Sequence, residues 1–359
     1  MSTLNYIGSK KTLLDFIDFV IIKINNKLGD DKNKIKFFDG FAGSGVVGKF
    51  FNHKYGYNTY SNDLEFYSFV LSYALLKVPY SVKLQNIINQ LNLLTKPIDN
   101  NNFNLITLNY SEKGKEKRKF WTTTNAEKAD AIMENIHNSL KNKLITKDEF
   151  YFLIASLLSS FDKVANTASV YGAFLKKYKN SALKTLVVKP IHTDVNITNH
   201  NTNTVFNLDI NSPDITKNKF DIVYLDPPYN ARQYSSNYHP LNFIAKYDKN
   251  IIPYGKTGLI QNSNKSNYSV KKNVSDSFTN LINDLDAKFI LVSYNNEGLM
   301  DSDTIVDILK SKGKTSLYKY EYKKFKSQAT QLNEKVYEYL YLCEVGKKGK
   351  FNTFIVEDQ

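Results

Sequence analysis

Four residues at the end of a predicted buried strand, Asp226-Pro227-Pro228-Tyr229, have the types and order that chemistry on an amine needs. Two consecutive prolines form a rigid turn without N–H donors, so backbone carbonyls remain available in the crevice where α/β sheets bind ligands. The Asp226 carboxylate and the Pro227 carbonyl could accept both N–H groups of an exocyclic amine, and the Tyr229 ring could stack on an extruded base. These residues suit methylation of adenine N6 by positioning and electrostatics. The alternative is a surface Pro-Pro turn.

A glycine-rich turn earlier in the chain fits three templates. Gly43–Lys49 matches G-x-x-x-x-G-K, but Phe50 stands where a P-loop needs Ser or Thr for magnesium. Gly43, Gly45 and Gly48 also match the dinucleotide fingerprint, and Asp63 follows about 20 residues later, where an acid that binds ribose is expected. Any adenosine-containing cofactor could use such a turn and acid. A tight turn that only packs a helix against a strand remains the third interpretation.

The elements around these motifs predict an α/β fold with a doubly wound sheet. Strands are predicted at Ile35–Gly40, Tyr57–Ser61, Val205–Asp209, Asp221–Leu225 and Lys288–Tyr294, with an antiparallel pair at Ser316–Lys323 and Lys335–Val345. Helices are predicted at Leu13–Leu28, Gly43–Phe51, Leu64–Leu76, Ala126–Leu140, Lys147–Lys163, Leu241–Tyr247, Phe278–Leu285 and Thr304–Lys310. Helical patterns dominate between Tyr80 and Lys189. We therefore predict a core of Met1–Pro79 plus Thr193–Gln359, interrupted by a mostly helical insert, Tyr80–His192.

Composition limits the classes of protein that remain. The 359 residues include 48 Lys and Arg against 35 Asp and Glu, a net charge of +13 that favours a polyanionic partner. A general bias toward Lys and Asn could produce the same surplus. One cysteine excludes a disulfide framework and a cysteine-based zinc site. The chain has no apolar run of about 20 residues and no signal peptide at its start, so we expect a cytoplasmic protein with no membrane contact.

The motifs together resemble those of the D12-class, Dam-like DNA adenine-N6 methyltransferases. Asn5–Lys10 resembles that family's N-terminal motif, Asp39–Gly45 its S-adenosylmethionine loop, and Phe206–Asp209 the motif whose acid contacts the cofactor's adenine. The resemblance implies cofactor binding by Tyr6, Lys10, Asp39, Gly40, Phe41, Gly43, Gly45, Asp63, Asp209 and Asp226, and catalysis by Asp226, Pro227, Pro228 and Tyr229. It also implies a Rossmann-like core, S-adenosylmethionine as the cofactor and no metal.

The order of the motifs along the chain indicates which group of the family the chain resembles and which substrate to expect. Cofactor motifs precede the insert and the catalytic motif follows it, as in the α group, whose target-recognition region lies in the insert. Asp226–Leu241, Lys163–Lys177 and Lys117–Ile132 resemble the subset found in type II restriction–modification systems. The resemblance implies methylation of a flipped adenine within a short duplex DNA sequence. A separate restriction endonuclease is a possible partner, and we expect a monomer.

Candidate DNA contacts lie in three segments. A basic stretch next to aromatic rings contains Lys117, Arg118, Lys119 and Trp121, which suit phosphate contact and base stacking. The alternative is a solvated basic loop that a core tryptophan closes. Arg232, Gln233 and Tyr234 directly follow the catalytic turn and could line the pocket for the flipped base. Lys176 and Lys177 could face phosphate or belong to a solvated helix face.

Three other functions stay open from the sequence alone. The same tetrad could methylate an adenine in RNA or an amide in a protein. Gly43–Gly48 with Asp63 could belong to a dinucleotide-dependent oxidoreductase, although that function leaves the Pro-Pro-Tyr turn unexplained. A DNA-binding module that has lost catalysis is the weakest alternative, because the tetrad is intact.

Overall fold

An eight-stranded sheet forms the centre of the protein in the computed structural model, which describes residues 4, 8–29, 31–99, 101–261, 263–295, 298–322 and 336–356. The strands, in chain order, are β1 (Lys36–Asp39), β2 (Asn58–Asn62), β3 (Thr204–Phe206), β4 (Lys219–Leu225), β5 (Pro253–Tyr254), β6 (Leu259–Ile260), β7 (Asp286–Asn295), β8 (Gly313–Tyr322), β9 (Val336–Val345) and β10 (Asn352–Val356). The order across the sheet is β10-β8-β9-β7-β4-β1-β2-β3, while β5 and β6 form a separate hairpin.

Twelve helices accompany these strands in the described residues. They are α1 (Leu14–Leu28), α2 (Val46–Tyr55), α3 (Phe66–Lys77), α4 (Val82–Leu91), α5 (Leu105–Tyr110), α6 (Thr123–Lys141), α7 (Lys147–Asp162), α8 (Pro213–Thr216), α9 (Tyr234–Asn237), α10 (His239–Lys246), α11 (Lys271–Asp284) and α12 (Ser302–Lys312). Short 3₁₀ turns lie at Lys10–Leu13, Lys32–Lys34 and Asn267–Ser269. No helix of the described chain is both long enough and apolar enough to span a bilayer.

The sheet reverses its strand order at β1. From there the chain builds β2 and β3 on one side, then returns to place β4 and β7 on the other, all of them parallel. Strand β9 runs antiparallel to both β7 and β8, as the sequence predicted for the last strand pair. In such a sheet, ligands bind beyond the carboxyl ends of the strands at the point of reversal. This places the expected cleft beyond the ends of β1 and β4.

Helices cover both faces of the sheet because successive strand residues point to opposite sides. Phe37 of β1 joins a cluster with α1 and α2, whereas Phe38 joins the opposite cluster with α11 and α12. The resulting three-layer α/β architecture confirms the predicted fold class. Helix α11 begins at Lys271, seven residues before its predicted start at Phe278. The prediction started too late because the first two turns of the helix are mostly polar and carry a weak apolar signal.

The helical segment, residues 80–192, contains α4 to α7 and no strand of the sheet in its described part. Leu158 of α7 and Trp121 share one hydrophobic cluster with Leu75 of α3 and Leu241 of α10. The segment therefore packs on two helices of the predicted core through a continuous apolar interior. The boundaries at Tyr80 and His192 stay predictions.

Candidate active site

A cleft opens beyond the carboxyl ends of β1, β2 and β4. About 910 Å³ of free space lies within it when the solvent at its open mouth is included. Predicted residues in its lining are Lys10, Phe41, Gly43, Asp63, Asp209, Asp226, Pro227, Pro228, Tyr229, Gln233 and Tyr234. Predicted residues from five separate segments of the sequence therefore meet in one cavity. Tyr6 lies outside the described residues.

The glycine-rich turn joins β1 to α2 in a conformation that side chains would hinder. Gly43 and Gly45 have φ angles of +53° and +72°, in the left-handed region that favours glycine. A Cβ at Gly40 would lie 2.8 Å from Cδ2 of Leu225, so a larger residue there would require the Leu225 side chain to shift. The backbone can therefore approach a ligand closely here, at the N-terminus of α2.

Asp63 ties this turn to the end of β2. One carboxylate oxygen accepts the Gly43 N–H at 2.8 Å and the other accepts the Glu65 N–H at 2.8 Å. Burial raises the pKa of Asp63 above its ordinary value, while these hydrogen bonds oppose the shift. Asp63 therefore fastens the glycine turn to the end of β2 at the lining of the cleft.

Three predicted cofactor residues lie behind the lining instead of in it. Asp39 is fully buried, and its Oδ2 accepts the Gly48 N–H at 3.0 Å. Burial, with the nearby carboxylates of Asp226 and Asp63, raises the pKa of Asp39 to about 7. Gly40 and Gly45 are likewise absent from the lining. These residues shape the turn, and their direct contact with a cofactor stays a prediction.

The Asp226–Tyr229 turn follows β4 directly and faces the cleft. The Lys10 ammonium lies 3.1 Å from Oδ1 of Asp226 and 2.7 Å from Oε1 of Glu338. Burial raises the pKa of Asp226 to about 6; Lys10 opposes this shift and Glu338 adds to it. At neutral pH the Asp226 carboxylate is thus mostly ionised and accepts hydrogen bonds, and its pKa lies about one unit below neutral pH.

Aromatic rings border the catalytic turn. A Cβ at Gly8 would lie 3.6 Å from Cε1 of Tyr229 and 3.6 Å from Oη of Tyr234, so both rings stand against this glycine. Tyr234 in turn stacks on Tyr238 at 6.1 Å between ring centroids. The cleft therefore offers flat apolar surfaces next to the Asp226 carboxylate, as stacking of a planar base requires.

Ser266, Tyr268 and Glu65 line the cleft but were not predicted from the sequence. Gln233 and Ser266 exchange two hydrogen bonds: the Gln233 amide donates to the Ser266 carbonyl at 3.0 Å and accepts the Ser266 N–H at 2.8 Å. Tyr268 packs edge-on against Phe41, and Glu65 accepts a hydrogen bond from Asn242. Only Glu65 had a local signal, its place two residues after Asp63. The Gln233 amide therefore holds the Ser266 loop at the cleft, and its contact with DNA stays a prediction.

Two predicted DNA contacts are wrong. Trp121 is fully buried, stacks on Phe161 at 4.2 Å and donates its indole N–H to the Phe161 carbonyl at 3.0 Å, so it has no free face for a base. Arg118 is also buried, and its guanidinium donates to the carbonyls of Asn109 at 3.0 Å and Gly255 at 2.8 Å. The core tryptophan was the correct interpretation, and Arg118 joins the helical segment to the β5–β6 hairpin.

Other basic candidates remain at the surface. Lys117, Lys176, Lys177 and Arg232 are exposed, whereas Lys119 is partly covered, with its ammonium 5.8 Å from the Tyr178 ring centroid. Lys176 and Lys177 lie in a loop and not on a helix. The Arg232 guanidinium passes so close to Gly172 that a Cβ there would clash with it. The loop after the Asp226–Tyr229 turn, which carries Arg232, therefore lies next to the loop that carries Lys176 and Lys177.

The fold is an α/β sheet with a cleft in which the glycine turn, Asp63 and the Asp226–Tyr229 turn meet. A family model for D12 class N6 adenine-specific DNA methyltransferases matches residues 6–308. The chain is 40% identical over 347 residues to the type II methyltransferase M.NlaIII of Neisseria lactamica, covering 95% of this chain and 99% of that protein. It is 40% identical over 346 residues to the type II methyltransferase M.CviAII of Paramecium bursaria Chlorella virus 1, covering 96% and 99%.

A third relative is longer. The chain is 37% identical over 356 residues to the type II methyltransferase M.FokI of Planomicrobium okeanokoites, covering 95% of this chain but 52% of that protein.

The chain belongs to the D12 class N6 adenine-specific DNA methyltransferases. Its activity is methylation of adenine N6 in DNA, and membership of the family implies S-adenosylmethionine as the methyl donor. The RNA, protein-amide and oxidoreductase alternatives are thereby disfavoured.

Proposed function

We propose that this chain is the modification methyltransferase of a type II restriction–modification system and methylates one flipped adenine in a short duplex DNA sequence. The observation that carries the reaction is the meeting of the Asp226–Tyr229 turn with the Asp63 subsite in one cleft. The restriction–modification context rests on the printed names of the relatives, which are type II methyltransferases. We also propose that the chain acts as a monomer, without a metal, beside a separate endonuclease.

The lining of the cleft fits S-adenosylmethionine. Asp63 would accept hydrogen bonds from the ribose hydroxyls, and the exposed carboxylate of Asp209 at the cleft would accept from the adenine amino group. Phe41, Leu208 and Ile210 supply apolar surface for the purine. The bound cofactor supplies a methyl group activated by its sulfonium.

The target adenine would occupy the part of the cleft beside Asp226. Its two N6–H groups would donate to the Asp226 carboxylate and the Pro227 carbonyl, which directs the nitrogen lone pair toward the methyl group. The rings of Tyr229 and Tyr234 would stack against the extruded base. Because the adenine is held by acceptors and ring faces, this arrangement requires no strong base.

The exposed cations explain how duplex DNA would be held. Lys176 and Lys177 lie on the loop next to Gly172, against which the catalytic-loop residue Arg232 packs. Cations in this position would contact phosphates on either side of a flipped nucleotide. Sequence reading would fall to the helical segment, whose Gly172 loop lies against Arg232.

Replacing Lys176 and Lys177 together with alanine is expected to weaken DNA binding uniformly across sequences. The slope of log K against log salt should decrease by about two, since each lost phosphate contact releases about one counterion fewer. Fluorescence anisotropy at several salt concentrations measures this slope. The matched control is Lys347→Ala with Lys348→Ala, two exposed lysines that follow β9 at the opposite edge of the sheet. Equal slopes in both double variants would contradict the assignment.

The test of the proposed function is single-molecule modification sequencing of unmethylated genomic DNA after incubation with the protein and S-adenosylmethionine. We expect N6-methyladenine confined to one short sequence. Modification scattered without sequence preference would contradict a restriction–modification role and leave the reaction standing. No modification of DNA, with cofactor binding confirmed by calorimetry, would contradict duplex DNA as the substrate.

A further inference from the structure

We propose that Glu338 is a positioning residue that holds the Lys10 ammonium between itself and Asp226, and so keeps the Asp226 carboxylate available to the adenine amino group. The inference rests on the proposed role of Asp226 as the acceptor. Glu338 lies on β9, beyond residues 6–308 that the family model matches. Its role is therefore an inference from the geometry of this chain.

The contacts form a short buried chain of charges. The Lys10 side chain is 7% exposed, and its Nζ lies 2.7 Å from Oε1 of Glu338 and 3.1 Å from Oδ1 of Asp226. Ser293 of β7 donates its hydroxyl to the same Oε1 at 2.9 Å. The serine and the lysine together fix the Glu338 carboxylate, and the ammonium lies closer to Glu338 than to the catalytic acid.

The physical argument concerns how one cation is shared. A buried ammonium requires a partner, because an uncompensated buried charge costs several kcal/mol. If Asp226 were its only anionic partner, Lys10 would pair with it fully, and the carboxylate would be a weaker acceptor for a neutral amine. Glu338 takes the shorter contact and leaves Asp226 only partly neutralised. The pair thus orients Asp226 without saturating it.

Charged and titratable groups surround Asp226 on all sides. They are Lys10 on the 3₁₀ turn, Glu338 on β9, Asp39 on β1, Asp63 after β2, Tyr224 on β4 and Tyr234 on α9. Burial raises the pKa of Asp226, and the negative charge of Glu338 raises it further, whereas Lys10 lowers it. Removing the charge of Glu338 therefore lowers the pKa of Asp226. The acidic limb of the activity profile must move to lower pH.

Glu338→Gln tests the proposal, because it keeps the shape and removes the charge. Single-turnover methylation of a duplex with the identified site should slow about tenfold at pH 8, and the acidic limb should move down by about one pH unit. The dissociation constants for S-adenosylmethionine and for DNA should stay within about twofold of the parental values. Glu338→Asp keeps the charge on a shorter side chain. Its acidic limb should therefore stay in place, and its rate should lie between those of the parental enzyme and Glu338→Gln.

The matched control is Glu344→Gln. Glu344 is on the same strand, also pairs with a lysine, Lys27 at 2.6 Å, and lies about 20 Å along β9 at ~3.3 Å per residue. It should match the parental enzyme in rate and pH profile. The proposal is overturned if Glu338→Gln behaves like Glu344→Gln, or if it loses rate with an unmoved acidic limb. Full activity of Asp226→Asn would instead overturn the proposed role of Asp226 as the acceptor, independently of the result for Glu338→Gln.

Discussion

Replacing Asp226 with asparagine is expected to lower the single-turnover rate of methyl transfer by about 10³-fold. Asparagine keeps the shape of the side chain but presents an amide, which lacks the negative charge and adds two donors beside the amino group that must be held. The Lys10 ammonium also loses a carboxylate partner 3.1 Å away. Binding of DNA and of S-adenosylmethionine should change by less than about threefold, because the phosphate and ribose contacts lie elsewhere.

The control for this substitution is Asp221→Asn on the same strand. Asp221 pairs with Lys288 at 2.7 Å at the other end of β4, so its loss should leave methylation unchanged. The parental rate should itself fall as the pH drops through about 6, since burial and Glu338 raise the pKa of Asp226 to that value and the protonated carboxyl group is a weaker acceptor that also adds an O–H donor beside the amine. A parental rate in Asp226→Asn would show that another group binds the amine.

Replacing Asp63 with alanine should weaken the binding of S-adenosylmethionine about 100-fold. Two hydrogen bonds from ribose hydroxyls to a carboxylate are lost, at about 1.5 kcal/mol each, and each tenfold change in affinity is about 1.4 kcal/mol. The N–H groups of Gly43 and Glu65 also lose their acceptor, which loosens the turn that faces the ligand. Isothermal titration with the cofactor measures the affinity directly.

The effect should appear in the affinity and not in the chemistry. At saturating cofactor the single-turnover rate of Asp63→Ala should approach that of the parental enzyme. Asp214→Asn is the control, because Asp214 is exposed, pairs with Lys217 at 2.6 Å and is absent from the cleft lining. An unchanged cofactor affinity in Asp63→Ala would remove Asp63 from the cofactor site.

The motif residues could be predicted because each one directly follows a strand. Asp63 directly follows β2, and Asp226 directly follows β4. Because both strands pair in parallel with β1, the two residues lie at one edge of the sheet, although 163 positions separate them. The glycine turn was recognisable because positive φ angles at Gly43 and Gly45 favour one residue type. Local sequence therefore defined both the fold and the centre of the site.

The remaining features depend on contacts that no local pattern records. Arg118 and Trp121 lie in a basic, aromatic segment whose composition is the same whether the side chains face DNA or the interior. Only the folded chain brings Gly255 to the Arg118 guanidinium and Phe161 to the Trp121 ring. Glu338 and Lys10 are 328 positions apart. A strand pattern at β9 gave no indication of that pairing.

The continuous apolar interior between the helical segment and helices α3 and α10 bears on how new specificities could arise. Exchanging residues 80–192 alone for those of a relative would bring foreign side chains against Leu75 and Leu241. Packed interiors tolerate such mismatches poorly, because voids and clashes each cost stability. On the proposed role of residues 80–192 in reading the DNA sequence, recognition cannot be exchanged separately from this interior. A functional hybrid would have to carry the facing residues of α3 and α10 with it, and so would inherit part of the scaffold next to the methyl-transfer site.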